Sequence, residues 1–412
     1  MWTSPDFLIR WTLEHKRLAR QVLRGIRPSA ESAWSRPPRA GAPWPLVLYS
    51  QVAWDDVWQR PQELARGMAA HRPVLFVSPV QVHQTAGPLN GRCETVRVEC
   101  GGRLTILSPL LLTGEYRGSA IRALNRAILA RALRPFVHGR PFVFLSNSPF
   151  VDDLQATLRP ALTGYDIIDD FCAFEWAPAS ARRRERRLLA RCDFATAGTW
   201  ALHRKYQRSA PGMEYLPSGV DFPKLTRPAP EPASLADLPH PRFLYVGTLN
   251  DRLDGALFDR VARAFPEATI VVVGPRRQTF SAPAFPSNVV ELGLKPHDEL
   301  PGFYQHCDLG LMPFADNDAA RAINPVKTLE YLSAGLPVIS TPIPDVKRFY
   351  VPPVVIARPD EWPAQIRRML AEDTPELRAE RRAFASGHSW ESLVQRMENR
   401  IRALEEKRRG AR

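Results

Sequence analysis

From Leu46 to Thr341 short apolar runs recur, each followed by a longer stretch in which apolar residues return every three or four positions. PLVLYS, PVLFVSP, LTILSPL, PFVFLSN, YDIID and DFATAG read as strands, with helical periodicity between several of them, notably over 118–135 and 178–191. The segment DVWQRPQELARGMAAH is largely helical after its proline. Strands this continuously apolar, alternating with helices, predict a parallel sheet covered on both faces. Around 222–241 the proline-rich FPKLTRPAPEPASLADLPHP interrupts the rhythm and marks a boundary. The pattern then restarts with RFLYVGTL, a helix over 254–265, TIVVVGP, VVELG, a helix over 297–306, LGLMPF, a helix over 325–334 and PVIST. A last helix over 389–408 lines up Trp390, Val394, Met397, Ile401 and Leu404 on one stripe. The expectation is two similar parallel α/β units in tandem, an N-terminal one over 41–222 and a C-terminal one over 241–388. A linker over 223–240 joins them, and a helix and tail over 389–412 follow. Ligands of such units gather at the C-terminal ends of the strands, in a cleft where two of them face each other.

Residues 1–40 stand apart. On a helical wheel from Phe7 to Arg27, Phe7, Leu8, Trp11, Leu18, Val22 and Ile26 share one face, while Arg10, Lys16, Arg17, Arg20, Arg24 and Arg27 gather on the other. An interfacial membrane helix has this pattern, and so does an amphipathic helix packed on its own protein. Residues 28–45, with five prolines, read as a linker.

A length of 412 residues is more than one core holds comfortably and supports two domains. No run approaches the ~18–20 apolar residues of a membrane span, and no short apolar core with a cleavage site opens the chain. Five cysteines without CxxC spacing read as reduced thiols of a cytoplasmic protein. Nine scattered histidines form no metal-binding motif, so no metal is expected. The net charge of +13 rests mostly on arginines in helices such as RRRERRLLARC and in the two tails. Without a recognition motif beside it, this charge suits anionic membranes or anionic substrates better than nucleic acid.

The stretch INPVKTLEYLSAGLPVIST, 323–341, holds the most concentrated chemistry. Asn324 is a good N-cap and Pro325 fits the first helical position. The N–H groups of Val326 and Lys327 then face outward with the positive end of the helix dipole, at a strand's C-terminal edge, which makes an anion site. Lys327 adds a full charge, and Glu330 nearly one turn deeper can accept hydrogen bonds from hydroxyls. Phosphates plus a diol describe a nucleoside diphosphate. The plain alternative is a well-capped helix with a surface Lys–Glu pair. Gly247 in YVGTLNDRLD permits close backbone approach, and Arg252 reaches toward a diphosphate with its planar donor fork. Leu294, in ELGLKP, marks a turn suited to reading a base. On the first unit, AWDDVWQRPQ gathers Trp54, Asp55, Trp58, Gln59 and Arg60 after the first strand. Rings there suit sugar faces and the polar groups suit hydroxyls, against the alternative of core tryptophans and a helix capped by Asp55 or Asp56. YDIIDDF puts Asp169 and Asp170 at a strand end, where one could act as general base on an acceptor hydroxyl or orient it.

VGTLNDRLD, ELGLKPHDELPGFYQHCDLGLMPF, NPVKTLEYLSAGLPVIST and the late HSWESLVQRM resemble, in order and spacing, GT-B glycosyltransferases of the family 4 type. SQVAWDDVWQRPQELA and YDIIDDF resemble a subgroup acting in teichuronic-acid and exopolysaccharide synthesis. The resemblance covers roughly residues 44–408. It implies two facing Rossmann-like domains, an acceptor domain first and a nucleotide-sugar donor domain second. It also implies transfer of a sugar from a nucleotide-diphosphate co-substrate, with no other cofactor, to a glycan or lipid-linked acceptor. The enzyme would be peripheral on the inner face of the cytoplasmic membrane. Donor contacts would come from Gly247, Arg252, Leu294, Asn324, Val326, Lys327 and Glu330. Acceptor contacts would come from Trp54, Trp58, Gln59 and Arg60, and the chemistry from Asp170, Asp169 or Asp55. Two departures stand out: Ala322 occupies the place of the first of two glutamates eight positions apart, and Asp254 stands where a Lys-Gly pair often follows the loop arginine. A nucleotide-sugar epimerase or a non-catalytic nucleotide-sugar-binding scaffold are the alternatives such residues allow.

Overall fold

The computed structural model describes residues 26–37, 41–55, 58–81, 96–112, 119–173, 177–210, 212–278 and 280–411. Most of the segment 7–27 lies outside them. The chain divides into two compact units. One comprises 1–198, 202–216 and 394–412, the other 199–201 and 217–393.

The first unit contains β1 (Leu46–Tyr49), β2 (Val74–Val77), β3 (Val80–Gln81), β4 (Val96–Glu99), β5 (Leu104–Leu107), β6 (Leu110–Leu111), β7 (Val143–Ser146), β8 (Leu162–Ile167), β9 (Phe194–Ala197) and β10 (Glu214–Tyr215). Its helices are α1 (Arg60–Met68), α2 (Ser119–Val137), α3 (Asp152–Leu158), α4 (Ala181–Leu189) and most of α5 (Trp200–Tyr206). Eight strands run in the order β10-β9-β8-β7-β1-β2-β5-β4, and β3 pairs with β6 separately. Every pairing is parallel except β4 with β5. Strands β1, β2, β5, β7 and β9 are buried along their whole length, as continuous apolar runs require when helices cover both faces.

The second unit contains β11 (Arg242–Val246), β12 (Thr269–Val273), β13 (Val289–Gly293), β14 (Leu309–Met312), β15 (Val338–Ser340) and β16 (Val354–Ile356). They form an all-parallel sheet in the order β13-β12-β11-β14-β15-β16. Its helices are α6 (Phe222–Thr226), α7 (Gly255–Ala264), α8 (Leu300–Gln305), α9 (Asp318–Arg321), α10 (Lys327–Ala334), α11 (Pro344–Phe349), α12 (Trp362–Glu372) and α13 (Pro375–Ser386). The strand order turns at β11, with β12 on one side and β14 on the other, so the loops leaving these strands diverge at a topological switch point. Gly310 lets the ring of Tyr331 lie against β14, where an added Cβ would come within 2.8 Å of it. The Tyr331 hydroxyl accepts the Val246 N–H at 2.8 Å, fixing α10 over the sheet.

Helix α14 (Trp390–Gly410) begins in the second unit and belongs to the first from Val394 onward. Arg72 is fully buried and anchors it there. Its guanidinium donates to both Glu398 oxygens at 2.8 and 2.9 Å, to the Trp44 carbonyl at 2.8 Å, and to Glu405. Despite burial, which opposes ionisation, the Arg72 and Arg402 guanidiniums hold the Glu398 carboxyl below its usual value.

Two expectations need correction. Residues 28–37 are not a bare linker. Trp34 is buried in the first unit's core with its ring 6.3 Å from Phe136, and the hydroxyls of Ser32 and Thr105 lie 2.7 Å apart. Helix α10 is not capped by Asn324. The N-cap is Val326, without a side-chain cap, because the Asn324 amide is engaged elsewhere.

Candidate active site

The second unit's donor-side residues stand along the C-terminal edge of its sheet. Gly247 follows β11 with φ +154°, and an added Cβ on Gly274, after β12, would fall 2.0 Å from the Gly247 oxygen. Only glycine allows these two strand ends so close. The loop leaving β11 is held by its backbone. Leu249 N–H donates to Pro275 at 3.0 Å, Asp254 N–H to Pro313 at 2.9 Å, and Ala315 N–H to the Arg252 carbonyl at 2.8 Å. Asn317 Nδ2 donates to the Asp251 carbonyl at 2.7 Å. The Arg252 backbone is therefore fixed, while its side chain is exposed and forms no ion pair among the described residues. Asp254, where the family pattern differs, caps α7 by accepting Leu257 N–H at 3.0 Å. Leu294 follows β13 and is 78% exposed.

At the start of α10 the Lys327 ammonium donates to both Glu330 oxygens, at 2.9 and 2.7 Å. Glu330 is buried and also accepts from the Tyr304 hydroxyl. The Lys–Glu pair read as the plain alternative thus exists. It leaves Lys327 one of its three donors; Thr328 and Leu329 N–H donate to the Pro325 and Val326 carbonyls at 3.0 and 2.9 Å, which leaves the N–H groups of Val326 and Lys327 without an acceptor among the described residues. Burial, with Glu330 beside it, pushes the Tyr304 hydroxyl well above the usual range, so it remains a neutral donor. His297 lies near this group. Burial lowers its basicity, Lys224 and Lys327 lower it further, and Glu330 opposes them. Lys224 Nζ sits 2.8 Å from His297 Nδ1 and 2.6 Å from Asp298. Lys224 was not legible as part of this cluster, since it falls inside the proline-rich boundary 73 residues from His297. Asn324 donates from Nδ2 to Asp345 at 2.9 Å and accepts from the Tyr350 hydroxyl at 2.7 Å. It braces the turn before α10 and does not cap the helix.

Of the residues expected to meet the acceptor, Trp54 and Trp58 touch, with ring centroids 5.1 Å apart, but Trp54 and Arg60 are buried while Trp58 and Gln59 are exposed. Arg60 is turned inward: Nε and Nη2 grip Asp166 at 2.9 and 2.7 Å, and both side chains are buried. Thr196 donates to the same carboxylate at 2.6 Å. Arg60 is therefore a strut that ties α1 to β8 and β9, which corrects its reading as an acceptor contact. Asp166 was missed, although a carboxylate inside the run YDIID was its visible signal. Trp54 is buried with its ring 5.0 Å from Phe76, while Trp58 stands 37% exposed with the Arg66 guanidinium 4.3 Å over its ring. Gln59 is exposed and is the N-cap of α1, a role expected of Asp55 or Asp56 on the plain reading; its N–H donates to Gln62 Oε1 at 3.3 Å. Asp55 is instead held bidentately by Arg97, at 2.8 Å for each oxygen.

Asp169 and Asp170 follow the end of β8, with Asp169 exposed and Asp170 half-buried. Asp170 pairs with the Lys205 ammonium and lies 3.4 Å from the Tyr206 hydroxyl. That hydroxyl donates to buried Glu185 at 2.7 Å, which also accepts from Tyr165 at 3.0 Å. Burial and Glu185 push the neighbouring Cys172 thiol up to about 12, so it is no nucleophile at neutral pH. The loop after β1 is tied to the loop after β7, with Gln51 Nε2 on Ser148 Oγ at 2.8 Å and Gln51 N–H on Asn147 Oδ1 at 3.2 Å. A cavity of about 330 Å³, lined by Pro337, Pro352, Met369, Leu377 and Phe384, lies at the other edge of the second sheet, near the starts of β15 and β16, and contains none of the candidate residues. Among the described residues no group of three or more His, Cys, Asp or Glu side chains could hold a metal ion.

This edge falls inside the part of the chain that known families recognise. Residues 240–372 match the family model "Glycosyl transferases group 1". The chain is 24% identical over 269 residues to TuaH of Bacillus subtilis, described as a teichuronic acid biosynthesis glycosyltransferase, covering 58% of this chain and 68% of that one. Among solved structures it is similar to sucrose-phosphate synthase of Thermosynechococcus elongatus, at 16% identity and a TM-score of 0.62 over 88% of this chain and 100% of that chain. It is also similar to the E. coli trehalose-6-phosphate protein bound with UDP-2-fluoro glucose, at 12% identity and a TM-score of 0.63 over 87% and 98%. A third, Anabaena Alr3699/HepE in complex with UDP, shows 13% identity and a TM-score of 0.62 over 87% and 100%. Residues 240–372 are a group 1 glycosyl transferase domain, and the chain that carries it is a glycosyltransferase with the GT-B fold.

Proposed function

We propose that this glycosyltransferase moves a sugar from a nucleoside-diphosphate sugar to a glycan or lipid-linked acceptor in the synthesis of a cell-surface polysaccharide. The carrying observation is that one sheet edge holds a glycine-turned strand end, the Arg252 guanidinium, which has no ion pair among the described residues, and a helix start bearing Lys327. Those are the groups that receive a diphosphate. The relatives support the reading, since two of the similar structures hold UDP or a UDP sugar and the B. subtilis relative is named for teichuronic acid synthesis.

As the bond from the anomeric carbon to the diphosphate breaks, negative charge grows on the leaving oxygen. Arg252, the remaining Lys327 donor and the N–H groups of Val326 and Lys327 stabilise it. Glu330, fixed by Lys327 and Tyr304, has its lone pairs set for a ribose hydroxyl, and Leu294 offers an apolar edge to the base. On the acceptor side Asp170, Asp169 or Asp55 takes or orients the attacking hydroxyl, and exposed Trp58 and Gln59 face the glycan. The scheme calls for no cofactor beyond the donor, no metal ion and no nucleic acid. The acceptor reading places the enzyme in the cytoplasm, peripheral on the inner face of the membrane. Among the described residues no helix is long and apolar enough to cross one.

The test is a thermal-shift screen across nucleotide sugars, followed by release of nucleoside diphosphate with and without acceptor. A bound donor raises the melting temperature with its affinity. Stabilisation with turnover supports the transferase, and stabilisation without turnover under any acceptor supports a binding scaffold. Absence of any shift across the panel sinks the donor site.

A further inference from the structure

Helix α4 presents a face that its own stability does not explain. Arg182, Arg183, Arg186, Arg187 and Arg191 are all exposed, and none forms an ion pair among the described residues. The single carboxylate of the helix, Glu185, is buried on the other side and taken by Tyr165 and Tyr206. Carboxylates on nearby elements are already matched elsewhere: Asp153 of α3 to Arg126, Asp170 to Lys205 and Asp193 to Arg408. The arrangement also works against the helix. Arg182 and Arg183 stand in a first turn without an acidic residue, at the positive end of the dipole. Arg182–Arg186, Arg183–Arg187 and Arg187–Arg191 are like-charge neighbours four positions apart, which repel.

We infer that this face is the surface by which the first unit lies on an anionic lipid leaflet. The inference rests on the membrane-side reading proposed above and names the residues that carry it out. Five guanidiniums spread over about 14 Å at helical rise form a patch suited to many headgroup phosphates at once. Guanidinium binds phosphate through paired donors. Among the described residues the exposed face carries no large apolar side chain, so contact through these arginines is by adsorption at headgroup level. Its position favours a bilayer over other polyanions. Helix α4 starts beyond the end of β8, the same rim that holds Asp169 and Asp170, so the patch begins where a lipid-linked acceptor would present its hydroxyl.

The experiment uses the full chain and vesicles of phosphatidylglycerol with phosphatidylcholine, against phosphatidylcholine alone, at low salt. Changing Arg182, Arg183, Arg186, Arg187 and Arg191 together to Gln should lower partition onto anionic vesicles at least about tenfold, given the attraction of each basic residue to an anionic surface. The melting temperature should stay or rise as the repulsion is relieved, and nucleotide affinity should not change. The same five changed to Lys should keep most of the binding. Partition of the Gln variant within about twofold of wild type overturns the assignment to α4 and leaves the membrane reading standing. Wild-type protein that ignores anionic vesicles overturns both. Loss of binding to an acidic polysaccharide, with vesicle binding intact, reassigns the face to a glycan and overturns the proposal.

Discussion

At the scale of single residues, the proposed donor site sets a compensated pair, Lys327 with Glu330, beside Arg252, which has no ion pair among the described residues. Lys327 is already half-spent on Glu330, so removing either residue does two things: it deletes a ligand contact and strands a buried or half-buried partner. Lys327→Ala and Glu330→Gln should each weaken nucleoside diphosphate binding by about 1.5–3 kcal/mol, roughly tenfold to a hundredfold, because each removes a charge-assisted contact. Gln is the cleaner probe at 330, since it still accepts the Tyr304 hydroxyl. Calorimetry giving wild-type affinity for both variants would remove this helix start from the site. On the other unit, Asp170→Asn and Asp169→Asn should lower turnover far more than donor affinity. Normal turnover in both would move the search to Asp55, which Arg97 already holds in place. Side-chain roles were legible only where the local sequence decided them. The backbone turn at Gly247 and the place of Lys327 at a helix start were legible; the structure shows that geometry. Arg60 was not: its motif spacing pointed to a ligand, but its charge is consumed by Asp166, 106 residues away. Asn324 failed for the same reason, since Asp345 and Tyr350 compete for its amide more strongly than the helix end does.

At the scale of elements, apolar continuity was a dependable guide. Most buried parallel strands fall inside the runs read from the sequence, and VVELG coincides with β13, whereas β8 begins at Leu162, ahead of YDIID. What the pattern could not show were strands without such a run. β4 is half-buried and pairs antiparallel at a sheet edge, β10 spans two residues, and β16 three. Helix α14 was visible as a stripe of apolar residues, but its two allegiances were not, because they rest on partners far away in sequence: Arg72 for Glu398 and Glu405, Glu214 for Arg396 and Asp193 for Arg408. Arg72→Met should destabilise the protein by about 3–5 kcal/mol in chemical denaturation, since it strips buried Glu398 of its buried partner and leaves it only the half-exposed Arg402. The pair also fixes a pH dependence. The Glu398 carboxyl is held below its unfolded value of ~4.3, so its contribution is full above that pH and is lost as pH falls through the lowered folded value. Glu398→Gln should flatten this acid limb of the stability profile. A limb of unchanged slope would show that other carboxylates dominate it.

At the scale of the whole molecule, a net charge of +13 is ordinary electrostatics until its distribution is considered. Two parts of the first unit concentrate it, the N-terminal segment and the outer face of α4, and they differ in one physical respect. The sequence of 7–27 pairs its basic residues with Phe7, Leu8, Trp11, Leu18 and Val22, whereas the exposed α4 face carries, among the described residues, guanidiniums and no large apolar side chain. Coulombic attraction to a leaflet is screened at a Debye length of roughly 10 Å in 0.1 M salt and 3 Å in 1 M, while burial of apolar side chains is not weakened by salt. Trp34 and Ser32 belong to the core, so a truncation meant to isolate the segment must stop at residue 25; one that ran to residue 40 would also remove a fully buried tryptophan, at about 3–5 kcal/mol. The protein lacking residues 1–25 should keep its nucleotide affinity and its melting temperature. It should still bind anionic vesicles weakly in low salt through α4, and release them fully as salt rises toward 0.5 M, at a Debye length of about 4 Å. The full chain should retain a salt-resistant fraction, because the apolar side chains of the segment supply the part that screening leaves untouched. Sedimentation with vesicles across a salt series separates the two. Equal salt-resistant binding with and without residues 1–25 would mean that the segment packs on its own protein and that the membrane contact is made elsewhere.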